Sequence, residues 1–236
     1  MKVDAIQTAR APTLSLGRHG RSLITSPAAA GIAYSTAWVL GLAVWPSNLD
    51  VATSNVKVLA TYRAHQGAAM TQYLLVEGLA ALALAVVAIA LSRAARRREA
   101  SRLGIATVVA GLPAAALSLV ECALGSLLAG SVAPDGEAER AGQLFDLINR
   151  IDGVKMFALA VMAVAGVGLV RRSVLPRWLG YTAALLAAAM VASGVGLLLL
   201  NTALAQAVFV SGPLLLVWVT GAGIELARTS RSGAAA

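Results

Sequence analysis

Charged residues are scarce in this chain of 236 residues, since only 13% are Asp, Glu, Lys or Arg while 58% are hydrophobic. A soluble domain is usually about a quarter charged and about half apolar. So small a polar complement cannot cover the surface of a water-soluble globule. Soluble enzymes, disordered chains and nucleic-acid-binding modules are therefore poor candidates, despite a formal net charge of +8.

Residues that bind metals or form disulfides are equally few. Cys122 is the single cysteine, which excludes an intrachain disulfide and any CxxC motif. His19 and His65 are the only histidines, and they fall on opposite sides of the topology predicted below, so a histidine metal cluster is not expected. We predict no metal site and no cofactor. Aromatic residues number four Trp, four Tyr and three Phe, so a large aromatic-lined cavity is hard to build.

The abundant apolar residues are concentrated in six segments, each close to the 20 or so residues that a helix needs to cross a membrane. The alternation expected of barrel strands is absent, so every span must be helical. The predicted class is an all-α, polytopic transmembrane bundle with its membrane domain at 28–227, between a disordered lead at 1–27 and a tail at 228–236. The spans are predicted at 28–45, 72–91, 105–128, 154–170, 179–200 and 203–227.

Basic residues in the loops predict the orientation. They precede the first span, dominate the second and fourth loops and follow the sixth span, whereas the third loop carries five acids against two arginines. By the positive-inside rule both termini are cytoplasmic, in a protein of the plasma membrane. The basic excess thus indicates topology and attraction to anionic lipid rather than nucleic-acid binding.

The connections between spans also carry patterns. Residues 51–67 and 138–151 have helical spacing of apolar residues and are predicted as surface helices on the outer side, more readily as connectors than as a functional lid. Asn201 and Thr202 supply a tight turn between the last two spans.

Ionisable residues inside predicted spans are the strongest functional signal, because each is costly in lipid unless it is paired or solvated. Glu77 and Glu121 are expected at similar depth in the outer half of two antiparallel helices, with Lys155 beginning the fourth span on the same side. A functional interpretation makes the glutamates a coupled pair that donates or carries a proton, in an outward-facing polar pocket with Tyr73, Ser118 and Lys155 as candidate ligand-binding residues. A structural interpretation lets Lys155 neutralise one glutamate while Tyr73 or Ser118 hydrogen-bonds the other.

Three stretches carry a resemblance to a known family: YRAHQGAAMTQYLLVEGLAAL at 62–82, FDLINRIDGV at 145–154 and RRSVLPRWLGY at 171–181. With the span count, they resemble a group of bacterial, actinobacterial-type six-helix membrane proteins catalogued as a domain of unknown function. The resemblance implies a six-helix fold and carries over no activity or catalytic residue.

Two functions remain open at this point. The first is a membrane protein without enzymatic activity that binds or handles a lipophilic or small ligand, or supports a protein partner that the sequence does not identify. The alternative is a small intramembrane enzyme, similar in outline to terpene cyclases, in which a buried glutamate protonates an isoprenoid or lipid. The alternative needs aromatic faces to stabilise carbocations.

Overall fold

The computed structural model describes residues 26–47 and 49–232 of the chain. These residues fold into α-helices joined by short connections, and neither described stretch contains a β-strand. The predicted disordered lead, 1–27, lies almost wholly outside the described residues, and so does the end of the predicted tail, 228–236. The division into lead, membrane domain and tail therefore stays a prediction.

Within the described residues, six helical segments are long and apolar enough to cross a membrane, which confirms the predicted all-α class and number of spans. Two of these segments contain a short π-helical stretch, at Leu74–Leu79 and at Leu128–Val132. The last spanning segment, Thr202–Ser230, comprises a four-residue helix and most of the helix that follows. In chain order the helices are α1 (Pro27–Val44), α2 (Asn55–Ala64), α3 (Gln66–Arg97), α4 (Ser101–Asp135), α5 (Ala138–Arg171), α6 (Arg177–Leu198), α7 (Thr202–Ala205) and α8 (Val208–Ser232).

The long helices form a closed ring. Each packs against its neighbours in the chain, from α1 through α3, α4, α5 and α6 to α8, and α8 returns to α1. Hydroxyl pairs reinforce α8 in this ring, with Ser211 Oγ lying 3.0 Å from Ser193 Oγ of α6 and Thr220 Oγ1 2.6 Å from Ser35 Oγ of α1. Hydrogen bonds between helices replace the ones that lipid cannot supply, so these pairs help to hold α8 in place.

The helix boundaries differ most from prediction at α5. The predicted surface helix at 138–151 and the predicted span at 154–170 are one continuous helix of 34 residues. Gly153 lies inside this helix, where it packs closely against the carbonyl oxygen of Gly194 in α6. Lys155 therefore lies in the middle of a long helix rather than at the start of a short one, while the predicted limits of the membrane span at 154–170 stay a prediction.

The other two connections follow the prediction more closely. Residues 55–64 of the first outer loop form α2, which docks on α5 where the side chain of Asn55 covers Gly142. The turn before α7 is capped by Asn201, whose side chain accepts a hydrogen bond from the backbone N–H of Leu204 at 3.1 Å. Consecutive spans α6 and α8 are thereby held as an antiparallel hairpin.

The surface of the ring is apolar over its middle. Large aliphatic side chains are exposed on every long helix, at a density that water would not tolerate and that a hydrocarbon environment accommodates. At 1.5 Å per residue the 32 residues of α3 extend about 48 Å, more than the roughly 30 Å of a hydrocarbon core, so its ends reach beyond the apolar layer. Examples of the exposed side chains are Ile32, Val39, Leu82, Val109, Val161, Val164, Leu185 and Val217.

The two ends of the bundle differ in charge. One end, which we call the arginine end, holds exposed arginines of the α3–α4 and α5–α6 connections, together with the first and last described turns. Pro27, Arg93, Arg97, Arg98 and Ser230 line an open cavity of about 510 Å³ there. The opposite end, which we call the site end, holds α2, the first half of α5 and the ionisable residues described next.

Candidate ligand-binding site

Three carboxylates and one ammonium group meet between α3, α4 and α5. Nζ of Lys155 lies 2.8 Å from Oε2 of Glu77, 2.5 Å from Oε2 of Glu121 and 2.9 Å from Oδ1 of Asp152. Lys155 donates hydrogen bonds to both glutamates. The contact with Asp152 is an ion pair without hydrogen-bond geometry, since Oδ1 has no hydrogen-bond partner among the described residues. We call these four residues the Lys155 cluster.

Local helix geometry explains how the chain brings the cluster together. Asp152 and Lys155 are three residues apart on α5 and therefore share one face of the helix. Glu121 faces them from α4, where it is 1% exposed. Glu77 lies within the π-helical stretch of α3, a rare conformation that is frequent at functional sites. The prediction that the two glutamates lie at similar depth agrees with their shared contact to Lys155.

The charges of the cluster do not balance. The side chains of Glu121 and Lys155 are 2% and 6% exposed, Glu77 is 12% exposed and Asp152 is 23% exposed. Three carboxyl groups thus share a single ammonium group in surroundings that solvate charge poorly. Oε1 of Glu121 is buried and has no hydrogen-bond partner among the described residues. The cluster consequently retains capacity for additional positive charge, as protons or as a bound cation.

A cavity of about 220 Å³ lies directly beside the carboxylates at the site end. Its polar wall includes Glu77, Glu121 and Asp152, whereas Lys155 lines a neighbouring cavity of about 20 Å³, which Glu77 also borders. All three carboxyl residues therefore border the larger space, and Lys155 does not. Aromatic side chains supply much of the remaining wall: Trp38, Trp45, Tyr62, Tyr73 and Phe145.

A hydrogen bond between two tyrosines connects the helices that form the cavity wall. The hydroxyls of Tyr62 in α2 and Tyr73 in α3 are 2.8 Å apart, and the ring of Trp45 meets the ring of Tyr62 edge-on at 5.0 Å between centroids. Burial raises the pKa of Tyr62 to about 12, although the hydrogen bond with Tyr73 acts in the opposite direction. Tyr73 packs directly over Gly125 of α4, where any side chain would collide with its ring. The wall is thus fixed by α2, α3 and α4 together.

The structure assigns different surroundings to each predicted site residue. Glu77, Glu121 and Lys155 are in direct contact, and Lys155 bonds both glutamates rather than one. Tyr73 lines the larger cavity, but its hydroxyl pairs with Tyr62 instead of a glutamate. Ser118 is buried and borders the small cavity, and the hydrogen bonds of the described residues include none between it and a glutamate. The structural interpretation, in which Tyr73 or Ser118 hydrogen-bonds the glutamate that Lys155 does not neutralise, therefore does not describe the site, because Lys155 bonds both glutamates.

Sequence reasoning also missed part of the cavity wall. A large aromatic-lined cavity was not expected, and the cavity is indeed small, but five of the eleven aromatic residues gather at this one place. Tyr62 and Phe145 lie outside the predicted spans, and they reach the cavity only because α2 and the extended α5 fold over the site end. The spacing of Ala141, Phe145 and Ile148 was the available signal, since it marks one helix face in phase with Asp152 and Lys155.

No group of three His, Cys, Asp or Glu side chains within 26–47 and 49–232 is arranged to hold a metal ion. The chain matches no protein-family model, no curated protein and no solved structure. The resemblance to the bacterial six-helix family therefore stays a prediction, and the argument for function depends on the geometry of this site.

Proposed function

We propose that this chain is a multi-pass protein of the plasma membrane with cytoplasmic termini, and that it binds a small ligand in the outward-facing cavity beside the Lys155 cluster. The main support is that three carboxyl groups, which share one ammonium group, line the wall of an aromatic-lined cavity of about 220 Å³. Apolar walls with a few convergent polar groups are typical of ligand sites.

The proposed orientation follows from the charge difference between the two ends. Arginines of the α3–α4 and α5–α6 connections are exposed at the arginine end, where the first and last described residues also lie. Short loops rich in arginine favour the cytoplasmic side. On this proposal the site end, with the mouth of the cavity, faces the outer side.

Ligand binding accounts for the cluster better than a packing role does. A cluster that only joins helices is favourable when every buried polar atom has a partner, because an unpaired one costs about 1–3 kcal/mol. Here Oε1 of Glu121 is unpaired among the described residues, and the carboxyl groups line open space. A molecule bound in the cavity would supply partners to the carboxyl groups that border it.

The volume of the cavity limits the size of the ligand. Pockets for drug-sized molecules usually span about 300–1,000 Å³, and this one is smaller. The proposal is therefore a small molecule, or one end group of a larger lipophilic molecule whose remainder extends out of the cavity.

Native mass spectrometry of the purified protein, followed by extraction of bound small molecules, tests the proposal. We expect wild type to carry a specific species that Glu77→Gln loses, since the amide keeps the shape of the side chain and removes its charge. Glu225→Gln is the matched control, because Glu225 lies near the arginine end in an ion pair with Arg228. A wild-type protein without a bound species, or retention in both variants alike, contradicts the proposal.

The aromatic wall favours a second candidate function, an intramembrane enzyme that protonates an isoprenoid or lipid with Glu77 or Glu121. Five aromatic side chains beside the carboxyl groups meet the need for carbocation stabilisation. The small volume and the Lys155 contacts make this candidate the weaker one. Incubating wild type and Glu121→Gln with an epoxide-bearing isoprenoid separates the two, since an enzyme yields a cyclised product only in wild type.

A further inference from the structure

We infer that the ligand of the 220 Å³ cavity is a small lipophilic ammonium ion, which deepens the proposed function and depends on it. The charge of the wall is the first argument. Glu77, Glu121 and Asp152 line the cavity, and its described lining includes neither Lys nor Arg. An anion would meet three carboxyl groups, whereas a cation would supply the positive charge that Lys155 alone does not provide.

The hydrogen-bonding capacity of the carboxylates on the cavity wall is the second argument. Glu121 is 1% exposed and lines the cavity, and its Oε1 has no hydrogen-bond partner among the described residues. Carboxylate oxygens accept hydrogen bonds only, so a polar ligand group that contacts the carboxylates on the cavity wall must be a donor. A charged N–H donor makes a shorter and stronger bond to a carboxylate than a neutral hydroxyl does.

The aromatic side chains are the third argument, since they select an organic cation over a metal ion. Trp38, Trp45, Tyr62, Tyr73 and Phe145 offer apolar area for a hydrocarbon body and ring faces that attract an ammonium group. Metal ions such as Mg²⁺ and Ca²⁺ need several oxygen ligands in a defined geometry, which no group of described side chains provides. An alkylammonium ion therefore fits both the carboxyl groups and the aromatic side chains of the wall.

Three probes of similar shape and different charge test this inference: cyclohexylmethylammonium, cyclohexylmethanol and cyclohexanecarboxylate. Isothermal titration of wild-type protein in detergent at neutral pH measures the affinity of each. We expect the ammonium to bind roughly tenfold or more tightly than the alcohol, because a hydrogen bond to a charged group is the stronger one. We expect the carboxylate not to bind.

Asp152→Asn is the variant of choice, because Asp152 is the most exposed carboxylate of the cluster. Lys155 retains its ion pairs with both glutamates when the charge of Asp152 is removed. We expect a loss of roughly tenfold in ammonium affinity and little change in alcohol affinity. Glu225→Gln removes the same charge near the other end and should leave both affinities unchanged. Circular dichroism and gel filtration show whether each variant is folded. If Asp152→Asn does not fold, Trp38→Leu replaces it. We expect the same loss of ammonium affinity in Trp38→Leu, because an aromatic ring of the cavity wall is missing.

The outcomes separate this inference from the proposed function. If the alcohol and the ammonium bind with equal affinity, the inference that the ligand is a cation is overturned, while the proposed ligand site remains. Unchanged ammonium affinity in a folded Asp152→Asn would also overturn it, since the ammonium then binds elsewhere. Absence of binding by all three probes, together with native mass spectra that lack a bound species, would overturn both.

Discussion

At the arginine end, Arg93, Arg97 and Arg98 are exposed around an open cavity, and no ion pair among the described residues involves them. At the site end, Glu121 and Lys155 are almost completely buried and in direct contact. Water and lipid head groups can solvate the first set, so each of its members acts nearly alone. The second set lacks that solvent, so each of its members depends on the others.

This difference means that the same kind of change, removal of one charge, should have very unequal consequences at the two ends. Breaking a buried ion pair leaves an uncompensated charge, whereas an exposed charge is largely screened. We therefore expect the effect of such changes to decrease from the Lys155 cluster to the arginine end.

Lys155→Met should destabilise the protein most, because it leaves three carboxyl groups without an ammonium group. The expected loss is about 3–5 kcal/mol, the range for one lost partner of a buried pair. Thermal unfolding in detergent measures it, with Arg97→Met as the matched change at the arginine end. Combining Lys155→Met with Glu77→Gln and Glu121→Gln should restore part of the stability, because the neutral amides no longer need a cation. Equal effects of Lys155→Met and Arg97→Met would remove the distinction between the ends.

Alkaline pH should destabilise wild type through Tyr62. In the unfolded chain the phenol ionises near its ordinary pKa of 10.0, whereas in the fold its pKa is raised to about 12 by burial. The folded state therefore holds the proton more tightly, so stability is full below pH 10 and falls as pH rises toward 12. The two-unit difference corresponds to about 2–3 kcal/mol.

Unfolding midpoints of wild type and Tyr62→Phe at pH 8 and at pH 11 measure this effect. Tyr62→Phe loses the hydroxyl contact with Tyr73 at every pH, so the quantity to compare is the change between the two pH values. We expect a smaller change in Tyr62→Phe. Parallel curves for the two proteins would show that Tyr62 is not held un-ionised by the fold.

Replacing Arg93, Arg97 and Arg98 together with Gln should change stability least, by about 0.5 kcal/mol or less per residue, as is usual for surface positions. Anionic lipid should respond more clearly, because each arginine near a membrane surface contributes about 1 kcal/mol of attraction. Phosphatidylglycerol retained after purification from mixed vesicles, at low and high salt, is the measurement. Arg63, Arg140 and Arg150 changed to Gln form the control, since they remove the same charge from the site end.

The amino-acid sequence was sufficient for the helical class and the number of spans, because hydropathy over some 20 residues depends on composition alone. It also brought Glu77, Glu121 and Lys155 to one depth. It did not predict α5 as one helix, since the change from an amphipathic to an apolar segment near 153 resembles a boundary. Continuity of helical phase through Ile148, Asp152 and Lys155 carried that information instead.

The cavity wall was harder to predict, because its members come from separate segments. Trp45 directly follows α1, Tyr62 belongs to α2 and Phe145 belongs to the first half of α5. Periodicity within one segment does not predict that these three side chains meet. Hydropathy likewise gives no sign of the π-helical stretch at Leu74–Leu79, whose extra residue per turn is a backbone property.

The π-helical stretch at Leu74–Leu79 determines how one half of α3 is rotated about the helix axis relative to the other half. Residues 80–97 follow it toward the arginine end, and residues 66–73, which end with Tyr73, precede it toward α2. If the same residues adopted α-helical geometry without a deletion, one half would turn by about 100° relative to the other. Tyr73 could then no longer face Tyr62 while Glu77 faces Lys155. The one extra residue in the π-helical stretch thus fixes the rotation of one half of α3 relative to the other. That rotation allows the aromatic side chains and the carboxyl groups to line the same cavity.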